Sequence, residues 1–289
     1  MVPTEKFFTS ILQNYLADFK VSSFSIVGGG SINNAYKVTT GKGVYFIKTY
    51  RGIRDFFELE AKGLELLRNA NELIIPEVVG FGEIEGLSYL VMKFIEGGAR
   101  RGDFWNNFGH KLAALHNHSH PQFGIDYSNY IGSLPQQNKL TTTWIDFFIH
   151  QRIEPQLQLA KKAGLLSPQF LNDFESLFKK LNSILPALTP SLVHGDLWSG
   201  NFLVSSTSEP VLIDPAVYYG NREMEIAYTM LFGGFAEDFY ESYSEVYTLT
   251  REFYNERADI YNLYHLLVHL NLFGKSYLGS IEQIIKNHR

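Results

Sequence analysis

The stretch His194-Gly195-Asp196-Leu197-Trp198-Ser199-Gly200-Asn201 sets a carboxylate five residues ahead of a carboxamide. The apolar run Val211-Leu212-Ile213 then delivers a second carboxylate, Asp214. Pro190 precedes this stretch and Phe202-Leu203-Val204 follows it, so the motif reads as a loop leading into a short strand. The order suits phosphoryl transfer. Asp196 would accept the proton of an acceptor hydroxyl, Asn201 would hold magnesium, and Asp214 would hold magnesium against the nucleotide phosphates. Either half of the pattern alone also fits a hairpin turn, because Asp, Gly and Asn favour turns. It is their combination and order that point to chemistry.

Elements that could position such a site lie upstream. Gly28-Gly29-Gly30-Ser31 falls between two strand-like runs, 24–27 and 35–38, where glycines let backbone N–H groups approach an anion. An ordinary glycine-rich hairpin is the competing reading, and no GxxxxGK[ST] pattern is present. Lys48 closes the strand-like run 44–49, and Glu60 lies near the middle of a helical pattern over 55–67. A strand lysine paired with a helix glutamate can be held onto nucleotide phosphates. Singly, the lysine could snorkel from an edge strand and the glutamate could be solvated. Two more strands, 76–81 and 88–92, precede Lys93-Phe94-Ile95-Glu96-Gly97-Gly98, whose backbone could hydrogen-bond a nucleobase.

The patterning changes at Phe94 to Gly98, from strand-rich to helical. This predicts two lobes, residues 1–95 and 96–289. An amphipathic helix is expected over 3–18, capped near Thr4. Further helices are expected from Asp103, as N-cap, to His116, and over 144–159, 167–181 and 258–273. His116-Asn117-His118-Ser119-His120 falls at a helix end with no acidic or cysteine partner at ligand spacing, which favours a dipole contact over a metal site. Glu225 could brace the catalytic loop by accepting backbone N–H bonds, or serve as an acidic residue in a helix first turn. His269 follows His265 by one helical turn and is a candidate substrate contact.

Composition bounds the function. Across 289 residues, 45% are hydrophobic and 19% charged, enough for a sizeable core. The chain has no cysteine, which excludes disulfides, thiolate nucleophiles and Cys-ligated zinc. A net charge of −5 argues against a nucleic-acid partner held by phosphate contacts. The first residues lack the unbroken apolar core of a secretory signal, and no apolar run is long enough for a bilayer. The expectation is a cytoplasmic protein with no membrane partner.

The chain resembles the fructosamine kinase (ketosamine-3-kinase) family, within the aminoglycoside- and choline-kinase-like relatives of protein kinases. The runs that carry the likeness include Gly28-Gly29-Gly30-Ser31-Ile32-Asn33, Phe46-Ile47-Lys48, Glu60-Ala61-Lys62-Gly63-Leu64, Arg152-Ile153-Glu154-Pro155 and Asp214-Pro215-Ala216-Val217-Tyr218-Tyr219-Gly220. The string from His194 to Asn201, with its tryptophan, is the most specific of them. The resemblance implies an α+β, two-lobed, protein-kinase-like fold, with a small antiparallel-sheet N-lobe and a larger, mainly helical C-lobe. It implies ATP and Mg2+ as cofactors and a ketosamine, free or protein-bound, as phosphorylated partner in a deglycation role. Asp196 becomes the catalytic base, and Asn201 and Asp214 the magnesium ligands. Gly28, Gly29, Gly30, Ser31, Lys48, Glu60, Met92, Lys93, Phe94 and Ile95 become the nucleotide-binding set. Trp198 and His269 become substrate contacts. A kinase of another small hydroxyl compound, or a nucleotide-binding pseudokinase, is the alternative reading.

Overall fold

The computed structural model describes residues 3–28, 33–53 and 55–288. Two compact units emerge: Met1–Arg101 with Leu203–Asp214, and Gly102–Phe202 with Pro215–Arg289.

The first unit is built on a five-stranded antiparallel sheet of β1 (Val21–Val27), β2 (Asn34–Thr40), β3 (Gly43–Tyr50), β4 (Val78–Ile84) and β5 (Leu87–Lys93), in the order β1-β2-β3-β5-β4. Glu85 and Gly86, both with positive φ, turn β4 into β5, as a tight two-residue hairpin requires. Helix α1 (Glu5–Leu12) packs Phe8, Ile11 and Leu12 against Tyr36, Val38, Tyr45 and Ile47. Side chains alternate across a strand, so with Tyr45 and Ile47 in this core, Lys48 belongs to the opposite face. Helix α2 (Phe56–Ala70) contacts β4 and β5. Thr4 caps α1 through its side chain as expected, yet the helix stops at Leu12, well short of the predicted 18. Beyond it Tyr15 turns away to donate to the Phe81 carbonyl at 2.8 Å and to meet the Tyr89 hydroxyl at 3.2 Å. Those tertiary bonds compete with continuing the helix.

The second unit opens on α3 (Phe104–His116), followed by the short hairpin β6 (Asn129–Ile131) and β7 (Leu134–Gln136). Asp103 precedes α3 without a side-chain capping bond, contrary to the expectation for it. The predicted helix 144–159 is three segments: α4 (Trp144–Phe147), a π-helical stretch Phe148–Ile153, and α5 (Glu154–Lys162). Pro155 supplies the cause, because it has no N–H to continue an α-helical ladder and is tolerated only at the start of a new helix. The unit continues through α6 (Pro168–Phe178), α7 (Leu181–Ile184) and the strands β8 (Ser191–Val193) and β11 (Tyr218–Gly220). The intervening β9 (Phe202–Val204) and β10 (Pro210–Leu212) fall in the segment Leu203–Asp214 that belongs to the first unit, apart from Phe202. The second unit ends with α8 (Arg222–Leu231), α9 (Glu237–Val246), α10 (Ala258–Phe273) and α11 (Leu278–His288). Strand β8 pairs antiparallel with β11, α3 packs on α9, and α8 packs on α10. Helix α10 has the predicted bounds and is buried on nearly every side. Among the described residues no helix is long and apolar enough to cross a membrane.

Candidate active site

In the first unit the pleat of β3 turns Lys48 away from the α1 core. Its ammonium lies 2.7 Å from Glu60 Oε1 on α2 and pairs also with Asp214 Oδ1. Lys48 is buried, which alone would lower its pKa. The adjacent Asp214 and Glu60 carboxylates outweigh that burial and hold the amine protonated. Glu60 moves upward, because burial and the Asp214 charge together exceed the attraction of Lys48. Asp214 adopts a left-handed backbone with φ +56, uncommon for a non-glycine residue, at the point where β10 ends. Its side chain remains 41% exposed, so one face of the carboxylate is open.

Of the other nucleotide-site expectations, Gly29, Gly30 and Ser31 lie outside the described residues. Gly28 has open space where a Cβ would stand. Met92 is buried in the sheet, paired with Phe46 and Val78. The Lys93 N–H donates to the Glu77 carbonyl at 2.9 Å and the Phe94 N–H to the Val44 carbonyl at 3.1 Å. These two donors are spent on the fold, which narrows the expected base contact to the carbonyls and Ile95. Ile95 is half-buried just beyond them.

In the second unit the loop after β8 is held from beneath by one carboxylate. Glu225, in the first turn of α8, accepts the His194 N–H at 3.1 Å and the Gly195 N–H at 2.7 Å. His116 Nε2 bonds the same carboxylate at 2.9 Å, and His116 Nδ1 meets the Tyr243 hydroxyl at 2.7 Å. Burial would raise the Glu225 pKa, but the bond and charge of His116, with the Gly195 N–H, carry it below the usual carboxylate value. His116 is thus committed to the loop brace. Gly195 sits at φ +82, and a Cβ there would collide with the Ala216 carbonyl oxygen, so the turn admits only glycine.

The brace sets the direction of Asp196. Asn201 Nδ2 donates to the Asp196 backbone oxygen at 2.8 Å and to Asp196 Oδ2 at 2.9 Å, closing the loop on itself. The Tyr228 phenol, one turn along α8 from Glu225, lies within the field of the Asp196 carboxylate. Burial foremost and that carboxylate next push its pKa far up, keeping it a donor. The Tyr228 ring lies flat on His265, with centroids 3.5 Å apart and planes 6° from parallel. Trp198 is 37% exposed and meets the equally open Phe232 edge-on. Gly200 leaves room for the indole, since a Cβ there would meet its six-membered ring. His269 is half-buried between Phe232, Phe273 and Tyr277 and bonds the His265 carbonyl at 2.8 Å.

Sequence reasoning did not find Tyr228, His265, Phe232 or Tyr243. A signal for the first three exists. Glu225, Tyr228 and Phe232 recur at helical spacing along α8 and its C-cap, as do His265, His269 and Phe273 on α10, and these two helices pack together.

The comparison with known sequences decides the family: the family model described as fructosamine kinase matches residues 4–288. The chain belongs to the fructosamine kinase family. It is 38% identical over 280 residues to a probable ketoamine kinase of Enterococcus faecium, covering 96% of this chain and 99% of that one. The crystal structure of a Thermobifida fusca protein designated a fructosamine-3-kinase superposes with a TM-score of 0.87 at 28% identity, covering 98% of both chains. An aminoglycoside phosphotransferase solved with AMP-PNP and hygromycin B gives 0.66 at 18% identity, covering 99% of this chain and 98% of that one. At that identity the likeness shows the fold, which is the α+β kinase-like fold expected of the family.

Proposed function

We propose that this member of the fructosamine kinase family transfers the γ-phosphoryl group of ATP to the C3 hydroxyl of a ketosamine borne on a glycated amine or protein, as a step of deglycation. The observation that carries this reading is the fixed Asp196 carboxylate, held by Asn201 on a loop braced by Glu225, with the open face of Trp198 two residues on. Asp196 accepts the proton of the attacking hydroxyl, and its oriented lone pair makes that hydroxyl a better nucleophile along one line of approach. Trp198 offers an indole face to the sugar-derived carbons beside the reacting hydroxyl. His269 completes the acceptor side.

Lys48 binds the nucleotide phosphates, and Glu60 fixes the lysine for that task. Gly28 to Ser31 covers the phosphates. From the stretch Met92 to Ile95, contact to a nucleobase falls to Ile95 and the carbonyls, since the Lys93 and Phe94 N–H groups are already bonded.

The donor set suits magnesium. Asp214 and Asn201 each offer a hard oxygen ligand of the kind magnesium prefers. The Asn201 Nδ2 bonds to Asp196 leave its Oδ1 as the atom for an ion, and the exposed face of Asp214 serves the same end. When bound, magnesium neutralises phosphate charge as it builds on the leaving group.

The test is phosphate transfer from ATP to a panel of free and protein-bound fructosamines and ribulosamines, with aminoglycosides and choline as comparison acceptors, followed as ADP release and product mass. Transfer to the ketosamines is expected. Transfer confined to the comparison acceptors would overturn the substrate assignment.

A further inference from the structure

We infer that Phe232, Phe273 and Tyr277, together with Trp198, form an aromatic subsite that receives the amine nitrogen of the acceptor as its ammonium and the first carbons of its substituent. This rests on the ketosamine reading above and deepens it.

A chain of ring contacts begins at the base. Trp198, two residues after Asp196, lies 6.4 Å from Phe232, and Phe232 lies 6.0 Å from Tyr228 and 4.8 Å from His269. His269 continues to Tyr277 at 5.0 Å and to Phe273 at 5.4 Å. Three of these rings are unusually open for their size: Trp198 at 37%, Phe232 at 41% and Phe273 at 55% exposed. Large apolar side chains left open in a contiguous group mark a binding surface, whereas single exposed ones need no account.

Acceptor chemistry identifies the occupant. In a ketosamine the C3 hydroxyl is separated from the nitrogen only by C2 and C1. A hydroxyl seated on Asp196 therefore carries its nitrogen onto the rings next to that residue. A secondary alkylamine is protonated at neutral pH, and aromatic faces attract a cation through their negative π-clouds. The charge around the rings agrees. Burial holds the His269 pKa below the ordinary imidazole value, so the ring is uncharged at neutral pH and does not repel an ammonium. Lys275, in the turn between Phe273 and Tyr277, is exposed, where its charge is screened by water and salt.

The test compares two acceptors, a 1-deoxy-1-(alkylamino)fructose and its 1-deoxy-1-alkoxy analogue. The second keeps the shape and loses the charge. In the unmodified enzyme KM should be lower for the amine by about tenfold, the scale of a partly desolvated cation–π contact. Phe232→Leu and Phe273→Leu, both at the surface, should each cut that ratio toward one, with ATP KM as the check that the fold survives. Reading a ratio removes any general loss of activity. Equal KM values in the unmodified enzyme, or a ratio untouched by both substitutions, would overturn the subsite while leaving the kinase reading intact. Transfer to neither acceptor would overturn the kinase reading and the subsite with it.

Discussion

Glu225 accepts the Gly195 N–H at 2.7 Å from beneath, so one buried side chain on α8 fixes the turn that presents Asp196. The same carboxylate serves His194 and His116, and its position is set by the first turn of α8, where the helix dipole favours an acid.

Replacing it should therefore cost both stability and turnover. Glu225→Gln retains one acceptor oxygen but aims an amide at a backbone donor and removes the charge opposite His116. The expected loss is about 3 kcal/mol, in the range for breaking a buried charge-assisted pair. The sign with pH follows from the lowered pKa. The Glu225 contribution is fully present above the unfolded-state value of 4.5 and is lost as pH falls through the lower folded-state value. Urea titrations between pH 3 and 7 check this: the difference between the two proteins should shrink at the acid end of that range. A difference constant down to the lowest pH would show that the carboxylate's charge is not what braces the loop.

His265 gives the next expectation. It is buried face-to-face with Tyr228, its Nδ1 has no hydrogen-bond partner among the described residues, and burial drives its pKa well below 6.5. The unfolded chain takes up a proton below pH 6.5 while the folded one does not, so stability falls as pH drops from 6.5 toward the folded-state value. His269 shifts the same way for the same reason. His265→Phe keeps an aromatic ring on Tyr228, removes an unpaired polar atom, and should flatten the stability profile between about pH 5 and pH 6.5. Thermal unfolding across that window measures it. An unchanged slope would mean that His265 protonates without cost in the folded state.

Much of the first unit was legible in the sequence because its rules are local. Alternation in β3 placed Lys48 opposite the α1 core, and helical spacing placed Glu60 on α2. The capacity of Glu225 to accept loop N–H groups was likewise readable from its place in the first turn of α8. What was not legible depends on tertiary competition. Leu12 ends α1 because Tyr15 finds partners on β4 and β5, and no local pattern reveals that. Pro155 was visible, yet the burial of Arg152 within the π-helical stretch before it, its guanidinium 3.9 Å from the centre of the Tyr218 ring, depends on distant partners. The acceptor side was missed in part because its rings come from two helices. Tyr228 and His265 are unremarkable one at a time, and only the packing of α8 on α10 brings them together.

Lys48 answers to two carboxylates, and its removal should show which function each serves. Lys48→Met leaves Glu60 and Asp214 facing each other without a cation, so activity should fall by about 10²–10³-fold with a rise in ATP KM. Glu60→Gln keeps the lysine but loosens its aim, and should cost less than the lysine itself. Steady-state kinetics with ATP varied at saturating ketosamine separates them. If Glu60→Gln were as damaging as Lys48→Met, the glutamate would be doing more than holding the lysine in place.

The last expectation sets Asp196 against the phenol near it. Asp196→Asn removes the proton acceptor, and kcat should fall by about 10²–10⁴-fold, with ATP KM little changed. Tyr228→Phe keeps the ring on His265 and removes only the hydroxyl, which would donate to the carboxylate during turnover. The carboxylate then retains Asn201 and gains basicity while losing one of its two guides. A positioning role predicts a smaller fall in kcat, about tenfold, with an acid limb of the kcat–pH profile moved upward, because a carboxylate that loses a donor binds its proton more tightly. Trp198→Ala should act on neither quantity and raise the ketosamine KM instead. A merely structural phenol would lower kcat and leave the acid limb where it stands. That outcome would remove Tyr228 from the account of the base and leave Asn201 as the residue that aims it.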